Sequence, residues 1–186
     1  MIPIVAASLL ALADSLMAPG VSLQLARYRA ERIRDVRYDI TLDVTGRDTA
    51  TGTVRITFNR SGDGDVIVDF RGYAVNDVIV NGERTGADFN QAHLRIPAAA
   101  VRPGSNVAVM RFAAPIAPAG ASIIRFTDET DKRDYLYTLL VPSDANLLFP
   151  CFDQPDLKAV FGLKLVVPPG WRELANASDK PISTYL

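Results

Sequence analysis

Cys151 and His93 are the only cysteine and the only histidine among 186 residues, and they decide most of the chemistry open to the chain. Zinc centres usually draw two or three ligands from His and Cys. One of each, far apart in sequence, excludes a complete protein-built zinc site of that kind. A single cysteine also excludes an intramolecular disulfide. His93 could serve a Ser-His-Asp triad, but no G-x-S-x-G elbow accompanies it; a strand or loop histidine is the better reading. The densest stretch is Phe149-Pro-Cys-Phe-Asp-Gln-Pro-Asp-Leu-Lys-Ala-Val-Phe161. Its cysteine lies between Pro150 and Phe152, an apolar setting in which a thiol behaves as a small buried hydrophobe and its pKa rises. Asp153 and Asp156 flank Gln154-Pro155, which suits a turn whose carboxylates accept from backbone amides, and Lys158 stands to pair with one of them. The stretch therefore reads as a packed corner rather than a catalytic centre. The acidic run Thr127–Asp134 lacks the twelve-residue spacing and glycine of an EF-hand loop, so a solvated loop is expected there rather than a calcium site.

The elements that must position these residues are mostly strands. Residues 22–34 predict the one clear helix: apolar groups recur at three- and four-residue spacing, and Ser22 can cap its start. The period then changes to two. From Val36 to Val44 every second residue is apolar and every residue between is polar, the mark of a strand with one buried face. Thr53 to Arg60 resumes the alternation with Val54, Ile56 and Phe58 inward. Further short strands are expected at 65–70, 75–80, 93–96, 106–112, 122–126, 135–140 and 161–167, with Asn81-Gly82 as a tight turn and Pro97 ending the strand at 93–96. Short strands at regular spacing, with no βαβ alternation, indicate a mainly β, antiparallel sandwich or curved sheet.

Composition bounds the partners. Hydrophobic residues make up 48% and charged residues 22%, the balance of a globular domain. The formal charge is −1 with acids and bases interspersed, so no basic block points to nucleic acid. Ile2 to Ala13 is almost wholly apolar, and small residues follow up to Pro19-Gly20. That stretch is too short to span a bilayer and looks like a secretory h-region and cleavage zone, although no Lys or Arg precedes it. It divides the chain into an apolar leader over 1–18, a helical lead-in over 19–34 and a β-domain over 35–186. A periplasmic or secreted location is the expectation, with a cytoplasmic one as the alternative and a leading packed helix as the bland reading of the leader.

Several of these stretches, in order, resemble the N-terminal domain of M1 (gluzincin) zinc aminopeptidases. Val36-Arg-Tyr-Asp-Ile-Thr-Leu-Asp-Val44 resembles that domain's first strand, and Ile182-Ser-Thr-Tyr-Leu186 the strand that closes it. The specific match is the thirteen-residue block from Phe149 to Phe161, similar to the family's F-P-C-F-D-E/Q-P-x-x-K-A-x-F. The resemblance implies a saddle-shaped, antiparallel β-sandwich that walls the substrate cleft and docks on a thermolysin-like catalytic domain. It implies zinc in that second domain, held by H-E-x-x-H, and a peptide substrate reached through the full-length enzyme. This chain has no H-E-x-x-H and no G-x-M-E-N segment, so it holds no cofactor and is expected to be inactive alone. Many members carry a T-Q-F-E-P-like stretch whose Gln and Glu line the first specificity pocket. Here Thr138-Leu139-Leu140-Val141-Pro142 stands in its place, so the implied pocket wall, Leu139 to Val141, is apolar and offers no acceptor to a substrate amine. Where the family has a longer excursion before its closing strand, only Ala177-Ser-Asp-Lys180 stand between Asn176 and Pro181, so either the region is shortened or residues are missing there. The alternative to a fragment of an active enzyme is a free-standing or pseudoenzyme β-sandwich binding or scaffold module without peptidase activity.

Overall fold

The computed structural model describes residues 15–175. Residues 1–14 of the expected leader, the stretch after Asn176 and the expected closing strand at Ile182–Leu186 lie outside the described residues. Helix α1 spans Leu23–Arg32, and the Ser22 hydroxyl accepts from the Leu25 amide 3.1 Å away, the capping bond its position predicts. The helix stops two residues short of the sequence expectation. Ile33 is extended and already pairs with Arg60, because the strand ladder claims its backbone.

Eleven strands follow: β1 (Ile33–Asp43), β2 (Thr49–Arg60), β3 (Val66–Asp69), β4 (Ala74–Val80), β5 (Glu83–Arg84), β6 (Asp88–Phe89), β7 (His93–Ile96), β8 (Gly104–Ala117), β9 (Ile123–Thr127), β10 (Asp134–Thr138) and β11 (Ala159–Val166). The larger, eight-stranded sheet runs β10-β9-β8-β2-β1-β11, with β4 also on β8 and β5 on β4; the smaller runs β3-β7-β6. Val36, Tyr38, Ile40, Leu42 and Val44 are all buried, and so are Val54, Ile56 and Phe58. The period-two pattern thus sets which face of each strand meets the core. Residues from both sheets share one core, in which Phe58, Phe70, Leu94 and Met110 are almost fully enclosed.

Two features lie outside the alternation pattern. The β1–β11 and β8–β9 pairs are parallel within an otherwise antiparallel set. Parallel neighbours need a crossover rather than a hairpin, and strand order is not written in hydrophobic period. Mid-strand Gly52 has a different origin: a Cβ there would lie 2.5 Å from the Phe112 ring and 2.6 Å from the Thr41 carbonyl oxygen, so close packing requires glycine. Asn81 and Gly82, at φ 53° and 90°, make the expected tight turn between β4 and β5. No helix among the described residues is long and apolar enough to cross a membrane.

Candidate functional site

The stretch from Phe149 to Phe161 folds as a corner clamped to both sheets. Its backbone extends the edge of β3 at Cys151, where the Asp69 amide donates to the Cys151 carbonyl at 2.7 Å and the Cys151 amide returns to Asp69 at 3.1 Å. The next amide, of Phe152, donates to the Tyr38 hydroxyl at 2.8 Å. That of Asp153 donates to Asp69 Oδ2 at 2.8 Å. Gln154 Nε2 reaches the Ala26 carbonyl on α1 at 3.0 Å. Phe149 packs edge-on to Tyr38, and Phe152 edge-on to Phe58. Pro150, Cys151, Phe152 and Gln154 are buried, while Pro155 and Lys158 are exposed. Burial pushes the Cys151 thiol well up, and the charges of Asp153 and Asp69 push it further. The sulfur therefore stays protonated and performs no thiolate chemistry.

Three of these bonds, the backbone pair with Cys151 and the one from the Asp153 amide, end on Asp69, a residue with no role expected from the sequence. Its carboxylate is 2% exposed and receives both terminal nitrogens of Arg29, at 2.8 and 2.5 Å, as well as the Asp153 amide. His93 Nδ1 lies 2.8 Å from Oδ1 without a directed hydrogen bond. Burial alone would raise this carboxyl. The His93 and Arg29 contacts outweigh it and hold the group below the usual carboxylate range. His93 Nε2 faces the carbonyls of Ala18 and Gly20, at 2.8 and 3.2 Å, and so ties the lead-in to β7. Arg29, Asp69 and His93 are each 2% exposed or less. Buried together, they offer no face to a substrate, and His93 lies in a strand, as expected from the sequence. Two sequence signals pointed to the cluster. Arg29 stands midway between Leu25 and Ile33 on the inward stripe of α1, and Asp69 interrupts the apolar run Val66–Phe70.

The residues expected to face a substrate lie elsewhere. Leu139 and Val141 follow β10 and are 53% and 69% exposed. They continue a line of exposed apolar groups at alternate positions, Tyr135 and Tyr137 on β10, with Phe126 beside Tyr135 on β9. Leu140, between them, turns inward to the core and helps line an apolar cavity of about 580 Å³ between β10 and the inner face of β1 and β11. The corner and the wall are thus adjacent in the fold but distinct: one is closed, the other open.

The acidic run at 127–134 spends its carboxylates locally. Asp128 accepts from the Thr130 amide at 2.6 Å, and Asp131 from the Arg133 amide and the Tyr135 hydroxyl at 2.9 and 2.6 Å. Among the described residues no three His, Cys, Asp or Glu side chains gather to hold a metal. The zinc that the family resemblance implies belongs to a second domain, and the described residues here offer no ligand set for one.

The sequence matches the family described as Peptidase M1 N-terminal domain over residues 34–185. It is 33% identical over 168 residues to aminopeptidase N of Streptomyces lividans, a match covering 86% of this chain and 19% of that protein. Human aminopeptidase Q is 39% identical over 51 residues, covering 27% of this chain and 5% of its own. Among solved structures, yeast leukotriene A4 hydrolase superposes with a TM-score of 0.65 at 18% identity, over 75% of this chain and 23% of that one. An M1 zinc metallopeptidase from Deinococcus radiodurans gives 0.58 at 20% identity, over 74% and 33%. At these identities the structural matches speak for the fold alone. The chain spans about a fifth of the length of the Streptomyces relative.

Proposed function

The chain belongs to the peptidase M1 N-terminal domain family, and from that premise we propose that it is the non-catalytic N-terminal domain of a zinc aminopeptidase. In this reading the domain docks on a catalytic domain and walls the cleft in which N-terminal residues are removed from peptides. The observation that carries it is the exposed apolar pair Leu139 and Val141, at the end of a line of exposed tyrosines. Large apolar groups left in solvent at adjoining positions mark an interaction surface rather than a random surface.

Neither the Leu139 nor the Val141 side chain can accept a hydrogen bond. The nearby Asp144 carboxylate is committed to Arg71. A substrate ammonium entering this cleft would need its anion from another domain. The zinc that polarises the scissile carbonyl and activates water also belongs, in this proposal, to that other domain. The apolar leader over 1–18 supports export of the parent.

The test is hydrolysis of aminoacyl p-nitroanilides, with and without a chelator. The full-length parent is expected to show chelator-sensitive activity and this chain none. Activity from this chain alone, or a full-length parent with none, would overturn the reading. Export is checked by fractionating cells that carry residues 1–20 fused to a reporter: a cytoplasmic reporter removes that part.

A further inference from the structure

We infer that Arg71, Asn146 and Asp153 are positioning residues for the substrate wall, because together they fasten the loop that carries Leu139 and Val141 to the buried corner. This rests on the reading that these two residues border the substrate cleft. Leu139 and Val141 are more than half exposed, so little side-chain packing holds them in place. Their location is set by their backbone, and the backbone of residues 139–144 lies between β10 and the turn at Ala145–Leu147.

That loop is held on two sides. On the β9 side the Leu139 amide donates to the Ser122 carbonyl at 3.0 Å, and the Ser122 hydroxyl reaches the Asp144 carbonyl. On the corner side the bonds pass through side chains. Asp153 Oδ2 accepts from the Asn146 amide at 3.1 Å and from Asn146 Nδ2 at 2.7 Å. Asn146 Nδ2 also donates to the Ser143 carbonyl at 3.1 Å, and its Oδ1 accepts from Arg71 Nε at 2.5 Å. Arg71 Nη2 then pairs with Asp144 at 2.5 Å. Asn146 is buried, and both ends of its amide are engaged. Asp153 in turn is fixed by its own amide on Asp69. The chain of bonds runs unbroken from the Arg29–Asp69 pair, through Asp153 and Asn146, to Ser143 and Asp144 at the C-terminal end of the wall loop.

The consequence is specific. Loosening this relay moves the wall without touching it, so discrimination between first-residue side chains should change before turnover of a small one does. In the full-length parent, kcat and KM are measured on leucine and alanine p-nitroanilides for Asn146→Ala, Arg71→Ala and Arg71→Lys. Leu139→Ala and Val141→Ala serve as wall variants. Asn146→Ala is expected to shift the leucine-to-alanine ratio of kcat/KM by about tenfold, chiefly through KM, as displacement of a pocket wall does. Arg71→Lys should retain more of the native ratio than Arg71→Ala, since it keeps the charge facing Asp144. Amide hydrogen exchange in this chain supplies a readout independent of activity: Asn146→Ala and Arg71→Lys should each speed exchange at 139–144 while β1 and β2 keep their protection. If the wall variants shift the ratio but Asn146→Ala and both Arg71 variants leave it unchanged, the positioning role is overturned. If the wall variants leave it unchanged, the cleft reading itself is overturned. Should Asn146→Ala fail to fold, Arg71→Lys decides by the same two readouts.

Discussion

Replacing Asp69 by Asn tests the junction on which the corner depends. The substitution keeps the size of the side chain and removes the charge. It leaves Arg29, 1% exposed, facing a neutral amide, and removes the anion beside His93. Breaking a buried pair by removing one partner costs about 3–5 kcal/mol, since the remaining charge stays desolvated. Domains of this size unfold at about 5–15 kcal/mol, so the loss is a large share of the total. At roughly 2–4 °C per kcal/mol, the midpoint should fall by about 6–20 °C. Urea unfolding of this chain, followed by far-UV circular dichroism, reads the change as a lower midpoint at unchanged slope.

Two comparisons sharpen the test. The triple variant Asp69→Leu, Arg29→Met, His93→Phe removes the buried ion pair as a whole and should recover part of the loss, because no buried charge is left unpaired, while the Asp153 amide and the Ile67, Ala18 and Gly20 carbonyls still lose their partners. The sign of the pH dependence is also fixed. A carboxyl held below its unfolded value contributes stability that is present above that value, about 3.9 for Asp, and is lost as pH falls through the lower folded value. Wild-type protein should therefore lose this contribution below about pH 4, and Asp69→Asn should lack that part of the acid transition. A loss smaller than about 1 kcal/mol for Asp69→Asn, the level of an exposed pair, would refute the reasoning.

Cys151, buried and pushed up in pKa, should label with a thiol reagent at pH 8 only as fast as the domain unfolds; rapid labelling in native buffer would contradict its enclosure. Ser22→Ala removes the cap on the Leu25 amide and should cost about 1 kcal/mol in thermal unfolding, with no change meaning that α1 does not need the cap. Gly52→Ala drives a methyl group against Phe112 and the Thr41 carbonyl and should cost about 1–3 kcal/mol by the same measurement, whereas a neutral result would show that β1 and β8 give way freely.

What the sequence alone determined was the inward face of β1 and β2, the helix cap and the Asn81-Gly82 turn; the two-residue strands β5 and β6 carried no pattern to read. Val36 to Val44 alternates because a strand places successive side chains on opposite faces, and that rule needs no neighbours. Ser22 before a helical stripe and Asn81-Gly82 between strands are equally local, since capping and positive φ depend on a few adjacent bonds. The block from Phe149 to Phe161 identified the family through its residues. The β1–β11 and β8–β9 parallel pairings, the glycine demanded at 52 and the Arg29–Asp69–His93 cluster were decided by the tertiary structure. Asp69 is 40 residues from Arg29 in the chain, and no period or spacing couples them. Only the packing of α1 on β3 places the two charges in one dry site, where each is tolerable because the other is there. The same holds for Arg71 and Asn146, 75 residues apart. Their types were visible in the sequence, but their joint hold on the wall loop exists only where the fold closes the distance.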